Sequence, residues 1–188
     1  MLLIDSVYIN QGGGFGLLKY LVETLNSKQI PFRLIVDRRV DGRFPEVEDQ
    51  IVMDSSEKCR WKFYKAFPDD VSSVFCFGNV PPPVKLNVPV YTYFHNINML
   101  TLGGYPSFSK RLLTFIKREY IRILRNHTDR WIVQTSNTCD ELLSHLEAKN
   151  NKVDIIPFYN LWPEIYSLSD NTARIDYALV GNYYNGAQ

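Results

Sequence analysis

The chain has 188 residues, and its 21 Lys and Arg against 20 Asp and Glu give a formal net charge of +1. Because 45% of the residues are hydrophobic, the chain is able to bury the core of a domain. The near-neutral charge does not indicate a partner bound by bulk electrostatics, such as duplex nucleic acid, so any basic function must be local.

The cysteines predict a reducing environment. Cys59, Cys76 and Cys139 are odd in number and widely spaced, which favours reduced thiols in a cytoplasmic protein over a disulfide framework. No metal-ligand spacing is present, so no metal is expected. The N-terminus has no signal-peptide pattern, and no stretch approaches the roughly 18 apolar residues of a membrane span.

Short β-rich runs alternate along the chain with helical periodicity, which is typical of an α/β fold. We predict a Rossmann-like open, mostly parallel sheet with helices on both faces. The predicted strands are Leu2–Ile9, Phe32–Val36, Ile51–Met53, Ser73–Phe77, Val90–Phe94, Arg130–Gln134 and Val153–Ile156. The predicted helices are Phe15–Ser27, Glu57–Phe67, Phe108–Asn126 and Asn137–Ala148, the last capped by Ser136 or Asn137 ahead of Asp140 and Glu141 in its first turn.

The periodicity fades from Pro157 onward and a new strand pattern begins near Tyr177. We expect residues 1–160 to form one domain. Residues 161–188 are expected to be a linker and the first strand of a second, truncated domain. The alternative is that Tyr177–Val180 adds an edge strand to the first sheet.

Four glycines follow the first strand and lead directly into a helix: Gly12, Gly13, Gly14 and Gly16. A glycine turn at a helix N-terminus offers bare N–H groups to a phosphate or a sugar. The dinucleotide pattern G-x-G-x-x-G is only half present, because Leu17 stands at its third glycine. Asp37 does lie where a ribose-binding acid would be expected. A tight turn that needs positive φ is the structural alternative.

Polar residues follow three other predicted strands, so we expect them at the same carboxyl edge of the sheet. His95 and Asn96 come directly after Val90–Phe94 and could orient a sugar or a carbonyl. Gly78 and Asn79 follow Ser73–Phe77, while Thr135 and Ser136 follow Gln134, the last residue of another predicted strand. These are either ligand contacts or ordinary turn and cap residues.

The predicted helix from Phe108 is amphipathic, with its basic residues within an arc of about 140° and most apolar residues opposite. One interpretation is a solvated basic face above a buried apolar face. The other is a basic face that contacts anionic lipid head groups beside a lipid-linked acceptor. The basic residues are Lys110, Arg111, Lys117, Arg118, Arg122 and Arg125.

Five segments, in order, resemble the N-terminal half of a GT-B glycosyltransferase of the retaining family-four, group-one type. They are QGGGFGLLKYL, VYTYFHN, WIVQTSNTCDEL, DIIPFY and DYALVGNYY. A weaker similarity of FGNVPPP is to members that assemble capsular or lipopolysaccharide glycans. The resemblance implies two Rossmann-like domains, the first mainly for the acceptor and the second for a nucleotide-sugar donor.

The same resemblance implies roles for individual residues. The segment Gly12–Gly16, which includes Phe15, would approach the donor diphosphate and the acceptor, and His95 would lie near the transferred sugar. No metal or other cofactor is implied beyond the nucleotide-sugar co-substrate. The family's paired glutamates, spaced E-x7-E, would lie beyond Gln188, so the chain alone is expected to be an inefficient catalyst. The expected location is cytoplasmic, with peripheral contact at the inner face of the membrane.

Two other functions stay open on the sequence alone. An NAD-type oxidoreductase half would use Asp37 but lacks the third glycine. A non-catalytic module that binds a glycan or a lipid-linked sugar would use the same edge of the sheet. The donor sugar, the acceptor and the linkage are not predicted.

Overall fold

The computed structural model describes residues 1–101 and 107–157, which form a seven-stranded parallel sheet. The expected α/β, Rossmann-like open sheet is confirmed, and every predicted strand is present. The strands are β1 (Leu2–Ser6), β2 (Phe32–Asp37), β3 (Gln50–Met53), β4 (Ser73–Cys76), β5 (Val90–Phe94), β6 (Arg130–Val133) and β7 (Val153–Ile155). The expected linker and second domain at 161–188 lie outside the described residues.

The strand order is β3-β2-β1-β4-β5-β6-β7, with every neighbouring pair parallel. The chain therefore builds outward from β1 in one direction and then returns to add β4 on its other side. At such a reversal the connections leave on opposite faces of the sheet, which opens a crevice at the carboxyl ends of the strands. The crevice of this domain lies beyond the ends of β1 and β4.

Within the described ranges five α-helices connect or flank the strands, and each buries part of its surface against the domain. Helix α1 covers one face, where its Leu18 and Val22 pack with Ile4 and Leu34. The other face buries Leu3 of β1, as strand alternation requires, and α2, α4 and α5 lie over it. The helices are α1 (Gly12–Ser27), α2 (Glu57–Lys65), α3 (Asn98–Thr101), α4 (Phe108–Leu124) and α5 (Ser136–Leu146).

Two details of the predicted helices are wrong. Helix α1 begins at Gly12 rather than Phe15, so the glycines form its first turn instead of a preceding loop. The N-cap of α5 is Thr135, whose hydroxyl accepts a hydrogen bond from the amide of Thr138, and no acidic residue lies in the first turn. The three cysteines are unpaired, as expected. None of the helices in the described ranges has the length and apolar character that crossing a membrane would require.

A buried ion pair ties the centre of the sheet to α2. Asp5 on β1 and Arg60 on α2 are 3% and 1% exposed, and their Oδ2 and Nη2 atoms lie 2.8 Å apart. The Tyr64 hydroxyl donates to the same carboxylate oxygen at 2.8 Å. Burial alone would lower the pKa of Arg60, but the negative charge of Asp5 raises it well above its ordinary value. The Arg60 guanidinium is therefore held in its charged form.

We predict that Arg60→Met destabilises the domain by about 3–5 kcal/mol, because it leaves the Asp5 carboxylate buried without its countercharge. Urea unfolding followed by circular dichroism measures this change. Replacing Asp5 with Asn in the same chain should recover part of the loss.

The matched control is Arg38→Met, which breaks the exposed ion pair between Arg38 and Asp54. Its unfolding midpoint should stay near that of the unaltered chain, since exposed pairs contribute little to stability. Equal midpoints for the Arg38 and Arg60 variants would contradict the assignment of Arg60 as a structural anchor.

Candidate functional site

The candidate site is the crevice beyond β1, β4 and β5, where the chain reverses its direction across the sheet. Residue 5 on β1 pairs with residue 76 on β4, and residue 76 pairs with residue 92 on β5. This register places the ends of the three strands side by side. The segments that follow them carry the glycines, Asn79 and His95.

The N-terminus of α1 opens into this crevice with its amide groups uncapped by a side chain. Gln11 precedes the helix in an extended conformation, and its side chain makes no capping hydrogen bond. Gly12 has a φ of 65°, which a residue with a side chain rarely adopts. The first amides of a helix lack partners within the helix and carry the positive end of its dipole. These amides can therefore donate hydrogen bonds to an anionic or hydroxyl-bearing ligand.

Gly14 is a glycine because the ring of His95 lies against its backbone. A Cβ atom at Gly14 would lie 3.0 Å from Nε2 of His95 and 3.3 Å from Cδ1 of Ile9. Such distances leave no space for even a methyl group unless the ring moves. Part of the glycine pattern thus serves an internal contact that joins α1 to the end of β5.

The His95 ring is held neutral in a mostly apolar environment. It stacks on Tyr93 with ring centroids 5.2 Å apart, and the ring of Phe77 lies at 6.1 Å. Burial lowers the pKa of His95 from 6.5 to about 4. Its Nδ1 atom is enclosed and has no hydrogen-bond partner among the described residues. Buried polar atoms are normally satisfied, so this nitrogen is an exception, but it is too enclosed to meet a ligand in this conformation.

Asn79 positions His95 rather than standing free for a ligand. It is a buried residue with a φ of 67° after β4. Its Oδ1 accepts hydrogen bonds from the backbone amides of His95 at 2.8 Å and Asn96 at 3.1 Å. The predicted cluster of Asn79, His95 and Asn96 is therefore brought together by the fold, and one oxygen of Asn79 holds the other two.

The other residues predicted to contact a ligand do not all lie at the crevice, because Phe15 belongs to the core and Thr135 caps a helix. Gly13 lies in the first turn of α1, whereas a Cβ at Gly16 would meet nothing within 4 Å. Phe15 packs on Phe44 with ring centroids 5.5 Å apart, and so belongs to the core beside α1. Gln134 and Thr135 follow β6 at the same edge of the sheet. The hydroxyl of Thr135 caps α5, which is a structural use of that residue.

The interpretation of α4 as a solvated basic face above a buried apolar face is wrong, because Leu112, Leu113 and Ile116 are exposed. The contact of α4 with lipid head groups stays a prediction. Three of the six cations, Arg118, Arg122 and Arg125, contact other groups of the protein. Arg118 donates to the carbonyl of Leu100 at 3.0 Å, while both Arg122 and Arg125 pair with Glu147 after α5. The other three, Lys110, Arg111 and Lys117, remain exposed.

A cluster of hydroxyls around Glu57 was not found from the sequence. The Glu57 carboxylate accepts from Tyr8, which follows β1, from Arg60, and from Tyr120 of α4 at 2.7 Å. Tyr8 also lies against Gly78, where a Cβ would meet it at 3.4 Å. Burial raises the pKa of Tyr8 and of Tyr120 above the ordinary value, so both hydroxyls stay protonated. Asp5, a charge within an apolar strand, requires a buried partner, but it gives no indication of Tyr8 or Tyr120.

Asp37 is already engaged within the protein. Its carboxylate accepts from the amide of Arg39 at 2.9 Å and from Nε of Arg39 at 2.8 Å. Burial opposes its ionisation, yet these hydrogen bonds hold the pKa of Asp37 below its usual value. A ribose hydroxyl would have to displace Arg39 to reach it.

Across the described ranges, no group of three or more His, Cys, Asp or Glu residues is arranged to hold a metal ion. No protein family model matches this sequence. A search of curated proteins likewise found no matching sequence. The function is therefore argued from the geometry of the crevice.

We predict opposite effects of alanine at two glycines in the same helix turn. Gly14→Ala should destabilise the domain by about 1–3 kcal/mol, because the new methyl group overlaps His95. Gly16→Ala should stabilise it by about 0.5–1 kcal/mol, because alanine favours the helix and the site is open. Urea unfolding measures both changes.

A double variant separates the contact from a general helix effect. Gly14→Ala combined with His95→Ala should be less destabilised than the sum of the two single variants, since the overlapping ring is gone. Additive losses would mean that His95 does not lie against Gly14.

Proposed function

We propose that the described domain is the acceptor-side domain of a glycosyltransferase. In this proposal a sugar passes from a nucleotide-sugar donor to a glycan or lipid-linked acceptor. The observation that carries the proposal is the neutral His95 ring, seated on Gly14 beside the open end of α1. This arrangement lies at the reversal point of a Rossmann-like sheet, where ligands bind in such folds.

The chemistry of glycosyl transfer suits the groups at this site. The bond to the anomeric carbon breaks as a nucleotide diphosphate leaves, and negative charge develops on the departing phosphate. The free amides in the first turn of α1 are able to stabilise that charge. The proposal assigns them to the diphosphate and the adjoining surface to the acceptor.

His95 is assigned to the positioning of the transferred sugar. With a pKa near 4, the ring is neutral at physiological pH and is therefore a poor general acid there. A neutral imidazole carries one donor and one acceptor nitrogen, which suits a sugar hydroxyl. The residue is partly exposed, and the accessible part of its ring is what would meet the sugar hydroxyl.

An NAD-type oxidoreductase is less well supported by the same site. The acid that would hold the ribose, Asp37, is bound to Arg39. Leu17 packs against the core at the position where the dinucleotide pattern has its third glycine. Both features would have to change before a dinucleotide could be held in the usual way.

We predict that a uridine or guanosine diphosphate sugar binds weakly at the crevice of the 188-residue chain and that NAD does not. Titration of the 15N-labelled chain, followed by 1H–15N NMR, should shift the amides of Gly12, Gly14 and His95. His95→Gln should weaken this response. The matched control is His145→Gln, since His145 lies on α5 and pairs with Glu141.

Two results would contradict the proposed function. One is a response at Asp37 and Gly12 to NAD with none to the sugar nucleotides, which would favour the oxidoreductase. The other is no response to any nucleotide at concentrations up to the millimolar range, which would leave the crevice without its proposed ligand.

A further inference from the structure

The exposed side of α2 carries a tryptophan among three lysines. Trp61 is 48% exposed, and Lys58, Lys62 and Lys65 are exposed as well. Because successive residues of a helix are about 100° apart, these four side chains leave α2 within an arc of about 100°. We call this surface of four residues the Trp61 face.

Helix α2 packs on the domain through its other side. Its buried residues are Arg60 and Tyr64. The acid of the helix, Glu57, is engaged there as well, because its carboxylate accepts from Tyr8, from Arg60 and from Tyr120. The Trp61 face is therefore not needed to hold α2 in place, and no acid of the helix neutralises its lysines.

The three lysines of the Trp61 face lack a countercharge. None of them has an ion-pair partner within residues 1–101 and 107–157. The ammonium of Lys65 lies instead over the ring of Trp61, with Nζ 5.2 Å from the ring centroid. Lys58 and Lys65 are about 10 Å apart along the helix axis. Positive charges spread in this way attract a ligand that carries several separated negative charges.

The Trp61 face begins at the edge of the sheet where the crevice lies. Glu57 is the first residue of α2, and it is bonded to Tyr8, which follows β1. The helix has 9 residues and is therefore about 13 Å long. It runs back along the sheet toward the opposite edge, as a crossover helix between parallel strands must. A chain-like ligand on the Trp61 face would thus lie along a line that leads from the crevice edge.

We propose that the Trp61 face binds an anionic glycan, whose sugars carry carboxylate or phosphate groups. The apolar C–H groups on one side of a sugar ring would pack on the exposed indole, and Lys58 and Lys62 would pair with the acidic groups of neighbouring sugars. The choice of a glycan rests on the proposed function. It makes the acceptor an acidic glycan and gives that acceptor a second contact outside the crevice.

An acidic protein segment fits the Trp61 face less well. Peptides are commonly bound by adding a strand to a sheet edge or by laying a helix in an apolar groove. The Trp61 face is the convex surface of one helix, and Trp61 is its one large apolar side chain. A flat ring between separate cations suits a sugar polymer, which offers flat apolar faces between its charges.

The test is titration of the 15N-labelled 188-residue chain with alginate oligosaccharides, in which every sugar carries a carboxylate. Neutral dextran oligosaccharides of the same length are the comparison. Alginate should shift the indole N–H of Trp61 and the amides of Lys58 and Lys62 in 1H–15N NMR spectra, and added salt should weaken the response. Dextran should leave these signals unchanged at the same concentrations.

Two variants separate the ring from the charges. Trp61→Ala should weaken alginate binding about tenfold, because it removes the surface on which the sugar packs. Lys58→Gln with Lys62→Gln should weaken it about fivefold, as expected for the loss of two exposed ion pairs. Circular dichroism should show that both variants are folded, since none of these side chains is buried.

The matched control is Lys28→Gln with Lys149→Gln, which removes the same charge from two exposed lysines outside α2. This variant should bind alginate as the unaltered chain does. Three results would overturn the proposal: no response to alginate, an equal response to dextran, or an equal loss with the control variant. An equal or stronger response to polyglutamate would also overturn it and would assign the Trp61 face to an acidic protein segment.

The titration contains no nucleotide, so it separates this proposal from the proposed function. Alginate binding without any response of the chain to sugar nucleotides would support the Trp61 face and contradict glycosyl transfer. A response to sugar nucleotides at Gly12 and His95, with none to alginate at Trp61, would contradict the Trp61 face alone.

Discussion

The buried guanidinium of Arg60 holds the central strand of the sheet, helix α2 and the chain after β4 together. A charge taken out of water is tolerated only when its countercharge and hydrogen bonds are complete. Arg60 meets this requirement with Asp5 on the central strand and with the carbonyls of Val80 and Pro81. These contacts fix the position of α2 against β1 and the path of the chain after β4. The contacts join three separate segments, namely β1, α2 and the chain after β4, so none can shift alone.

This constraint extends to the candidate site through adjacent residues. Val80 directly follows Asn79, whose side chain holds the backbone amides of His95 and Asn96. Those hydrogen bonds place the His95 ring against Gly14 and so join the end of β5 to the first turn of α1. The crevice is thus preorganised by the fold, with a neutral ring and uncapped amides on neighbouring walls. Preorganised groups of this kind are what electrostatic stabilisation of a leaving group requires.

The sheet was predictable from the sequence, because each strand is a short β-rich run between helical patterns and parallel order follows from that alternation. The start of α1 was not, since glycine disfavours helices and nothing local shows that His95 would pack there. The orientation of α4 was also missed. Periodicity gives the relative angles of side chains around a helix, but tertiary partners such as Leu100 and Glu147 decide which side faces the sheet. In the same way, Asp5 signalled a buried partner without identifying Arg60.

The central claim is that a neutral His95 ring is seated in the crevice, and its titration tests this most directly. The native pKa is about 4 against 6.5 for the free side chain, so the unfolded chain binds the proton more readily than the folded one. The stability due to the neutral ring should be complete above pH 6.5 and decline as the pH falls toward 4. Ring-proton NMR of the 188-residue chain, assigned with His95→Gln, should show no protonation until the pH approaches 4. A midpoint near 6.5 would mean that the ring is solvated and would contradict the account.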